Sequence, residues 1–295
     1  MKFLIIIPTH NEEKNILFCL ESLTNQTFRE YEVVIVNDGS TDRTQELVSE
    51  FISDEKLGDK FSLLNLEKSE HEPGAKVVRT FSRALENVDL NGFEVICKFD
   101  ADIIFPENYL KKINEIYEKN PKAGMVSGIV KIKKSVFEKK LAFDFKDEKR
   151  QWIFENISSK NHVRGPIKSY RKECFAAMNG LRPVLGWDNI DVMLAKKHGW
   201  EVITNKDLWV KHLRPTAYHY KSQKAEKLGE YFYNIGLSLP LAVISSAKSS
   251  LKNGSFSEFF LTMKSFLKQN GEMKLSKEEI KFIRHLRWSE MFNKK

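Results

Sequence analysis

The fold turns on the stretch Val95-Ile96-Cys97-Lys98-Phe99-Asp100-Ala101-Asp102. Five residues of β-type pattern, with Lys98 expected to face outward, run into two carboxylates separated by one small side chain. Ile103, Ile104 and Phe105 follow, and Pro106 opens a helical pattern. This describes a buried strand that carries acid to its own carboxyl end, where open α/β sheets place their ligands. Carboxylates at i and i+2 on a turn suit a hard divalent ion, which takes oxygen ligands and completes its shell with phosphates and water. Taken alone, the tripeptide equally suits a turn capped by Asp100 with Asp102 solvated.

Three strand-and-helix units precede it. Phe3 to Ile7 is a continuous apolar run of the kind buried on both faces of a parallel sheet, and it ends at Pro8-Thr9-His10-Asn11. A helix is expected from Glu13, with Ile16, Leu17, Leu20 and Leu23 on one side. Val33 to Val36 predicts a second strand ending at Asn37-Asp38-Gly39-Ser40-Thr41-Asp42. Gly39 permits a tight turn there, and Ser40 or Thr41 is the expected N-cap of a helix through Phe51. Phe61 to Leu66 predicts a third strand, His71-Glu72-Pro73-Gly74 a loop, and Lys76 to Leu85 a third helix. Such alternation predicts a parallel sheet with helices on both sides.

Four polar loops would then meet at one sheet edge: residues 8–12, residues 37–40, the segment ahead of Lys76, and residues 100–102. Neither the G-x-G-x-x-G of a dinucleotide fold nor a P-loop is present. Asp38 could accept from a base imide or a ribose hydroxyl, while Lys76 and Arg79 are placed to meet base or phosphate. The plainer alternatives are a turn-forming Asp38 and a solvated first helical turn.

The chain has 295 residues, an ample apolar fraction and a net charge of +8. Residues 206–295 carry 17 basic and 8 acidic side chains, so the basic excess belongs to the last third. Nothing approaches the roughly 18 uninterrupted apolar residues of a membrane span. The opening Met1 to Ile7 is cut short by Pro8-Thr9-His10-Asn11-Glu12-Glu13, which predicts a first strand and no signal peptide. Cys19, Cys97 and Cys174 lie in apolar patterns without metal spacing, as expected of buried thiols in a cytoplasmic protein.

Ile6-Ile7-Pro8-Thr9-His10-Asn11-Glu12-Glu13, then Val34-Ile35-Val36-Asn37-Asp38-Gly39-Ser40-Thr41-Asp42, then Phe99-Asp100-Ala101-Asp102 resemble, in order and spacing, the nucleotide-sugar domain of family 2 glycosyltransferases. The resemblance implies a GT-A fold, a mixed and mostly parallel sheet flanked by helices. It also implies inverting transfer from a nucleoside diphosphate sugar, with Mg²⁺ or Mn²⁺ at the D-x-D turn. By position Pro8, Thr9, Asn11, Glu12, Asp38 and Arg79 would line the nucleoside pocket, with Asp100 facing the ribose and Asp102 the metal. The run Lys76 to Arg79 departs from the small residues and Arg-Asn pair that many members carry.

Beyond Pro106 the pattern continues as a helix to Lys119, a strand Met125 to Ile132, and a strand within Val163 to Lys172 feeding a helix Glu173 to Met178 that Gly180 stops. Gly186-Trp187-Asp188-Asn189-Ile190-Asp191 opens the next helix, with Asp188 and Asp191 on one face of its first turn. Carboxylates at a helix N-terminus are held ionised by the helix dipole, which suits a general base and equally suits plain capping acids. The resemblance implies the base in an acidic pair at the start of this helix. Trp187 stands at the Glu position, so Asp188 is favoured and Asp191 is the rival. Leu208 to His212 predicts a last short strand, before Leu213-Arg214-Pro215-Thr216. In relatives a histidine there often reaches the metal or diphosphate, which makes His212 a candidate ligand and Arg214 a candidate partner for the leaving group.

The expected organisation is a GT-A unit over residues 1–216, its nucleotide-sugar half 1–105 and its acceptor half 106–216, followed by a basic, aromatic-rich helical extension over 217–295. That extension suits either an interfacial helix that docks the chain on the inner membrane face near a lipid-linked acceptor or an ordinary helical subdomain capping the acceptor cleft. No nucleic-acid recognition module is visible. The expected function is sugar transfer from a nucleoside diphosphate donor to a saccharide or lipid-linked acceptor in surface polysaccharide or glycolipid synthesis. A sugar nucleotidyltransferase, which would want a basic Gly-rich first loop, and a non-catalytic nucleotide-sugar-binding partner are the alternatives.

Overall fold

The computed structural model describes residues 1–67, 74–133, 145, 151–155, 160–214 and 223–292. The expected loop from His71 to Pro73 and the residues around Thr216 lie outside the described residues.

Strands β1 (Phe3–Thr9), β2 (Tyr31–Asp38), β3 (Phe61–Leu66) and β4 (Val95–Phe99) pair in parallel in the order β3-β2-β1-β4. Their crossovers carry α1 (Ile16–Thr24), α2 (Thr44–Asp54) and α3 (Ala75–Leu85). The chain continues through β5 (Ile103–Ile104), α4 (Tyr109–Lys119), β6 (Ala123–Lys133), β7 (Trp152–Phe154) and β8 (Ile167–Arg171). It then forms α5 (Lys172–Ala177), α6 (Trp187–Lys197) and β9 (Glu201–His212). β8 sits antiparallel between β4 and β6, while β6 pairs in parallel with β9, and β5 closes the row on β9. Most of the paired residues lie in parallel ladders, the expected mixed, mostly parallel sheet.

Strand periodicity explains the two cores. In β1, Phe3, Ile5 and Ile7 point to one face and pack with α1 and α4 residues such as Leu20 and Ile113. Leu4 and Ile6 point to the other face and pack with Val78, Phe81 and Ile190 from α3 and α6. A strand between two helical layers needs apolar residues at every position, which is the run seen in the sequence. The C-terminal helices α7 (Lys224–Asn234), α8 (Leu239–Asn253), α9 (Phe256–Lys268) and α10 (Lys277–Phe292) add Phe232, Leu241 and Ile283 to this second core.

Local expectations shift where side chains compete for backbone groups. α1 starts at Ile16 because residues 12–15 form a turn, the Asn15 and Ile16 amides both donating to the Glu12 carbonyl at 2.9 Å. The second helix starts at Thr44, not after Ser40 or Thr41. The Asp42 carboxylate accepts from the Thr44 amide at 3.0 Å, while Ser40 and Thr41 bond to Asn11 across the loops. β9 is twelve residues long rather than five. Lys98 does not face outward: it is buried at 3% exposure, with β1 and β8 on either side.

Candidate active site

The D-x-D turn is clamped from both sides. The Asp100 amide donates to the Pro166 carbonyl ahead of β8, and the Leu213 amide after β9 donates to the Asp102 carbonyl, both at 2.9 Å. Lys98 bends back so that its Nζ pairs with Asp100 and donates to the Gly165 carbonyl at 3.3 Å. A strand residue that looks like an exposed lysine is therefore the counter-ion of the first acid of the turn.

Asp102 lies in a row of alternating charge drawn from distant segments. Arg214 reaches both Glu12 and Asp102, its Nε 3.3 Å from Asp102 Oδ2. On the other side His212 Nε2 stands 3.5 Å from the same oxygen, and its Nδ1 is 3.2 Å from Glu155 Oε2, which also pairs with Arg164. Burial alone would raise the Asp102 carboxyl, but His212 and Arg214 outweigh it and hold it below the usual carboxylate range. Burial likewise opposes the charged form of His212, yet the two flanking carboxylates lift it to about 9. Glu155, buried but held by His212 and Arg164, is lowered to about 2.

The donor set fits a divalent ion. Two ligand atoms that each lie about 2.1 Å from one ion can stand up to about 4.2 Å apart, so the 3.5 Å between Asp102 Oδ2 and His212 Nε2 can be bridged. Glu155 on Nδ1 is the outer carboxylate that orients a metal-ligating imidazole, and an ion at Nε2 would take the place of the proton that Asp102 favours there. Arg214, more than half exposed, is free to swing off the Asp102 oxygen. Among the described residues no cluster of three such ligands exists, so most of the shell would come from substrate and water.

Across Gly165 from this turn stands the start of α6. Gly186 takes φ +92° at its N-cap, where a Cβ would lie 2.3 Å from the Tyr231 ring of α7, so only glycine fits. Asp188, partly exposed, comes close to Gly165: a Cβ built on that glycine would be 3.7 Å from Asp188 Oδ2. Gly165 thus has the Lys98–Asp100 pair on its carbonyl and Asp188 beside its Cα. The Trp187 ring lies under both Lys98 and Lys168, at 5.3 and 5.4 Å.

Asp191, the rival, does not face this cleft. It is 2% exposed, both of its oxygens lie 2.7 Å from Lys168 Nζ, and Tyr170 donates to it at 2.6 Å. Burial pushes its carboxyl up against these partners. The three-residue spacing puts both acids on one helical turn, but packing against β8 turns one inward and leaves the other at the surface.

On the side where the sequence places the nucleoside pocket, Asp38 is buried at the end of β2, its Oδ2 accepting from Thr80 at 3.0 Å and lying 3.3 Å from Lys76 Nζ. Asp38, Arg79 and Thr80 line a cavity of about 580 Å³ closed by Leu66 and Pro183. Thr9 and Asn11 are spent on structure. The Thr9 hydroxyl donates to the Val36 carbonyl, and the Asn11 side chain accepts from the Thr41 amide, fastening the first loop to the second. Pro8, just before Thr9, is half-buried near the end of β1 and pairs with Val36 of β2. Glu155, Arg164, Lys98 and Lys168 carry no motif in the sequence, because each acquires its role from a partner that folding brings to it from another segment.

The curled mixed sheet, with an acidic turn at the end of β4 and an acid at the start of α6, defines the GT-A class of transferases. Solved structures share it over the whole chain. They include a mannosyltransferase from Pyrobaculum calidifontis in complex with GDP-Man and Mn²⁺ (TM-score 0.58, 20% identity, 88% of that chain covered). A second is residues 1–349 of TarS from S. aureus (TM-score 0.52, 18% identity, 92% covered).

The profile of glycosyl transferase family 2 matches residues 4–179, and the chain belongs to that family. Poly-beta-1,6-N-acetyl-D-glucosamine synthase of Staphylococcus epidermidis is 30% identical over 129 residues, 43% of this chain and 28% of the synthase. A Methanococcus voltae dolichyl N-acetyl-alpha-D-glucosaminyl phosphate 3-beta-D-2,3-diacetamido-2,3-dideoxy-beta-D-glucuronosyltransferase is 33% identical over 132 residues, 43% of this chain and 38% of that enzyme. The matched region thus spans well under half the length of these relatives. Among the described residues no helix is long and apolar enough to cross a membrane.

Proposed function

We propose that this glycosyltransferase moves a sugar, with inversion, from a nucleoside diphosphate sugar to a hydroxyl of a saccharide or lipid-linked acceptor in surface polysaccharide or glycolipid synthesis. Residues 1–216 would carry the chemistry. The observation that carries the proposal is the pairing of Asp188 and the Asp100–Asp102 turn on either side of the Gly165 backbone. One acid is accessible at a helix N-terminus and the other two lie where a diphosphate would bind.

In this reading Asp188 takes the proton of the acceptor hydroxyl as it attacks the anomeric carbon from the face opposite the leaving nucleotide. Asp38, Lys76 and Arg79 hold the base and ribose, with Asp100 on the ribose once it exchanges Lys98 for substrate. Asp102 and His212 would hold Mn²⁺ or Mg²⁺, which when bound supplies positive charge to the diphosphate. Arg214, released from Asp102, is positioned to meet the charge that develops on the departing phosphate.

A panel of nucleoside diphosphate sugars tests this, with Mn²⁺ and slow nucleotide release as the readout. Release from one donor that disappears in Asp102→Asn is the expected result. Tight binding of every donor without release at any would overturn it in favour of a binding partner.

A further inference from the structure

Helices α8 and α9 form a hairpin through Gly254 and Ser255, and its outer surface is apolar in a way that folding does not require. On α9, Met263 and Thr262 already face inward, Met263 accepting from Ser246 of α8 at 3.3 Å. The same helix carries Phe256 and Phe260 outward at 76 and 60% exposure, and across the turn Leu251 of α8 is 79% exposed. An ordinary surface helix has one apolar stripe turned inward and a polar remainder. This pair has a second stripe in solvent.

The lysines fall in register with it. Phe256, Phe260, Lys264 and Lys268 are spaced four apart, so two rings and two ammonium groups form one row along α9. On α8 the row Ile244, Lys248, Lys252 repeats the order. Lys252, Lys264 and Lys268 are exposed and make no ion pair among the described residues. A cavity of about 400 Å³ opens between the helices against Leu251, Phe256 and Phe259.

Apolar rings flanked by exposed ammonium groups complement a surface with apolar depth and negative charge at its rim, which an anionic bilayer provides. A second copy of the chain would instead bring like-charged lysine rows together. We infer that the α8–α9 hairpin docks the chain on an anionic lipid surface. Leu251, Phe256 and Phe260 enter the acyl boundary, and Lys252, Lys264 and Lys268 meet lipid phosphates. The hairpin is rigidly tied to the cleft: α7 packs on α9 so closely that a Cβ on Gly229 would be 2.3 Å from the Thr262 carbonyl, and α7 also presents Tyr231 to Gly186.

Flotation of the full chain with phosphatidylcholine vesicles, with and without about 30% phosphatidylglycerol, tests the inference without reference to activity. The chain is expected to float with the anionic vesicles only, and less so as salt rises. Binding should fall at least tenfold in Phe256→Ser/Phe260→Ser, and by about fivefold for each of Lys252→Gln, Lys264→Gln and Lys268→Gln. All five side chains are exposed, so an unchanged melting temperature checks that the variants fold. Equal flotation with neutral vesicles, or binding unchanged in the variants, overturns the inference. So does a concentration-dependent dimer that the serine variant abolishes while no vesicle floats the parent chain.

Discussion

Substituting Asp188 and Asp191 separately by Asn should give opposite phenotypes. Asp191→Asn removes the charge from a carboxylate that both Lys168 and Tyr170 contact, leaving a lysine of 0% exposure without a counter-ion. Breaking a buried pair from one side costs about 3–5 kcal/mol, and because the amide oxygen can still accept a hydrogen bond the lower end applies. For a chain of this size that is a fall in melting temperature of about 5 °C. Turnover per folded molecule should stay within a few-fold of the parent.

Asp188 is partly exposed, and among the described residues its carboxylate forms no ion pair. Asp188→Asn should leave the melting temperature within about 1 °C, yet lower turnover by roughly 10²-fold or more with donor affinity intact. Differential scanning fluorimetry, donor titration and single-turnover transfer measured on both variants separate the two. Transfer retained by Asp188→Asn, or abolished by Asp191→Asn at an unchanged melting temperature, refutes the assignment.

Glu155→Gln should weaken Mn²⁺ affinity about 10- to 100-fold by loosening His212, measurable by calorimetry without any sugar acceptor; unchanged affinity would take His212 out of the ligand set. Gly186→Ala should cost about 3 kcal/mol, since it combines a left-handed backbone with a Cβ driven into Tyr231. Gly199→Ala, equally left-handed but with nothing within 4 Å, should cost only about 1 kcal/mol, and equal losses in chemical denaturation would dismiss the clash. His162 is lowered to about 4, first by burial and then by Lys168, with Arg164 and Lys196 adding to it. Because the unfolded chain takes up this proton near pH 6.5 and the folded one near 4, stability is full above 6.5 and declines as pH falls through that window. After allowance for partial exposure the loss is about 1–2 kcal/mol. His162→Gln should flatten that part of the stability profile, and an unchanged slope would assign it elsewhere.

Much of this molecule is local in origin and so could be read from the chain alone. The runs Phe3 to Ile7 and Val95 to Phe99 have no polar interruption except Lys98, because helices cover both faces, and that is visible without coordinates. The acids after β2 and β4 follow from strands that end in turns, and the resemblance to family 2 rested on those same segments.

What needed the tertiary structure is which charged side chain meets which. Lys98 reads as an exposed strand residue until the segment ahead of β8 supplies the Gly165 carbonyl and the turn supplies Asp100. Asp188 and Asp191 are equivalent by spacing, and it is Lys168 and Tyr170, 23 and 21 residues back in the chain, that hold the second in the interior. Glu155 had no signal at all, since its partners Arg164 and His212 come from two other segments. Periodicity encodes which face of an element is apolar, a property of neighbours in sequence. The charge state and accessibility of a side chain depend on partners that only folding brings within a few ångströms.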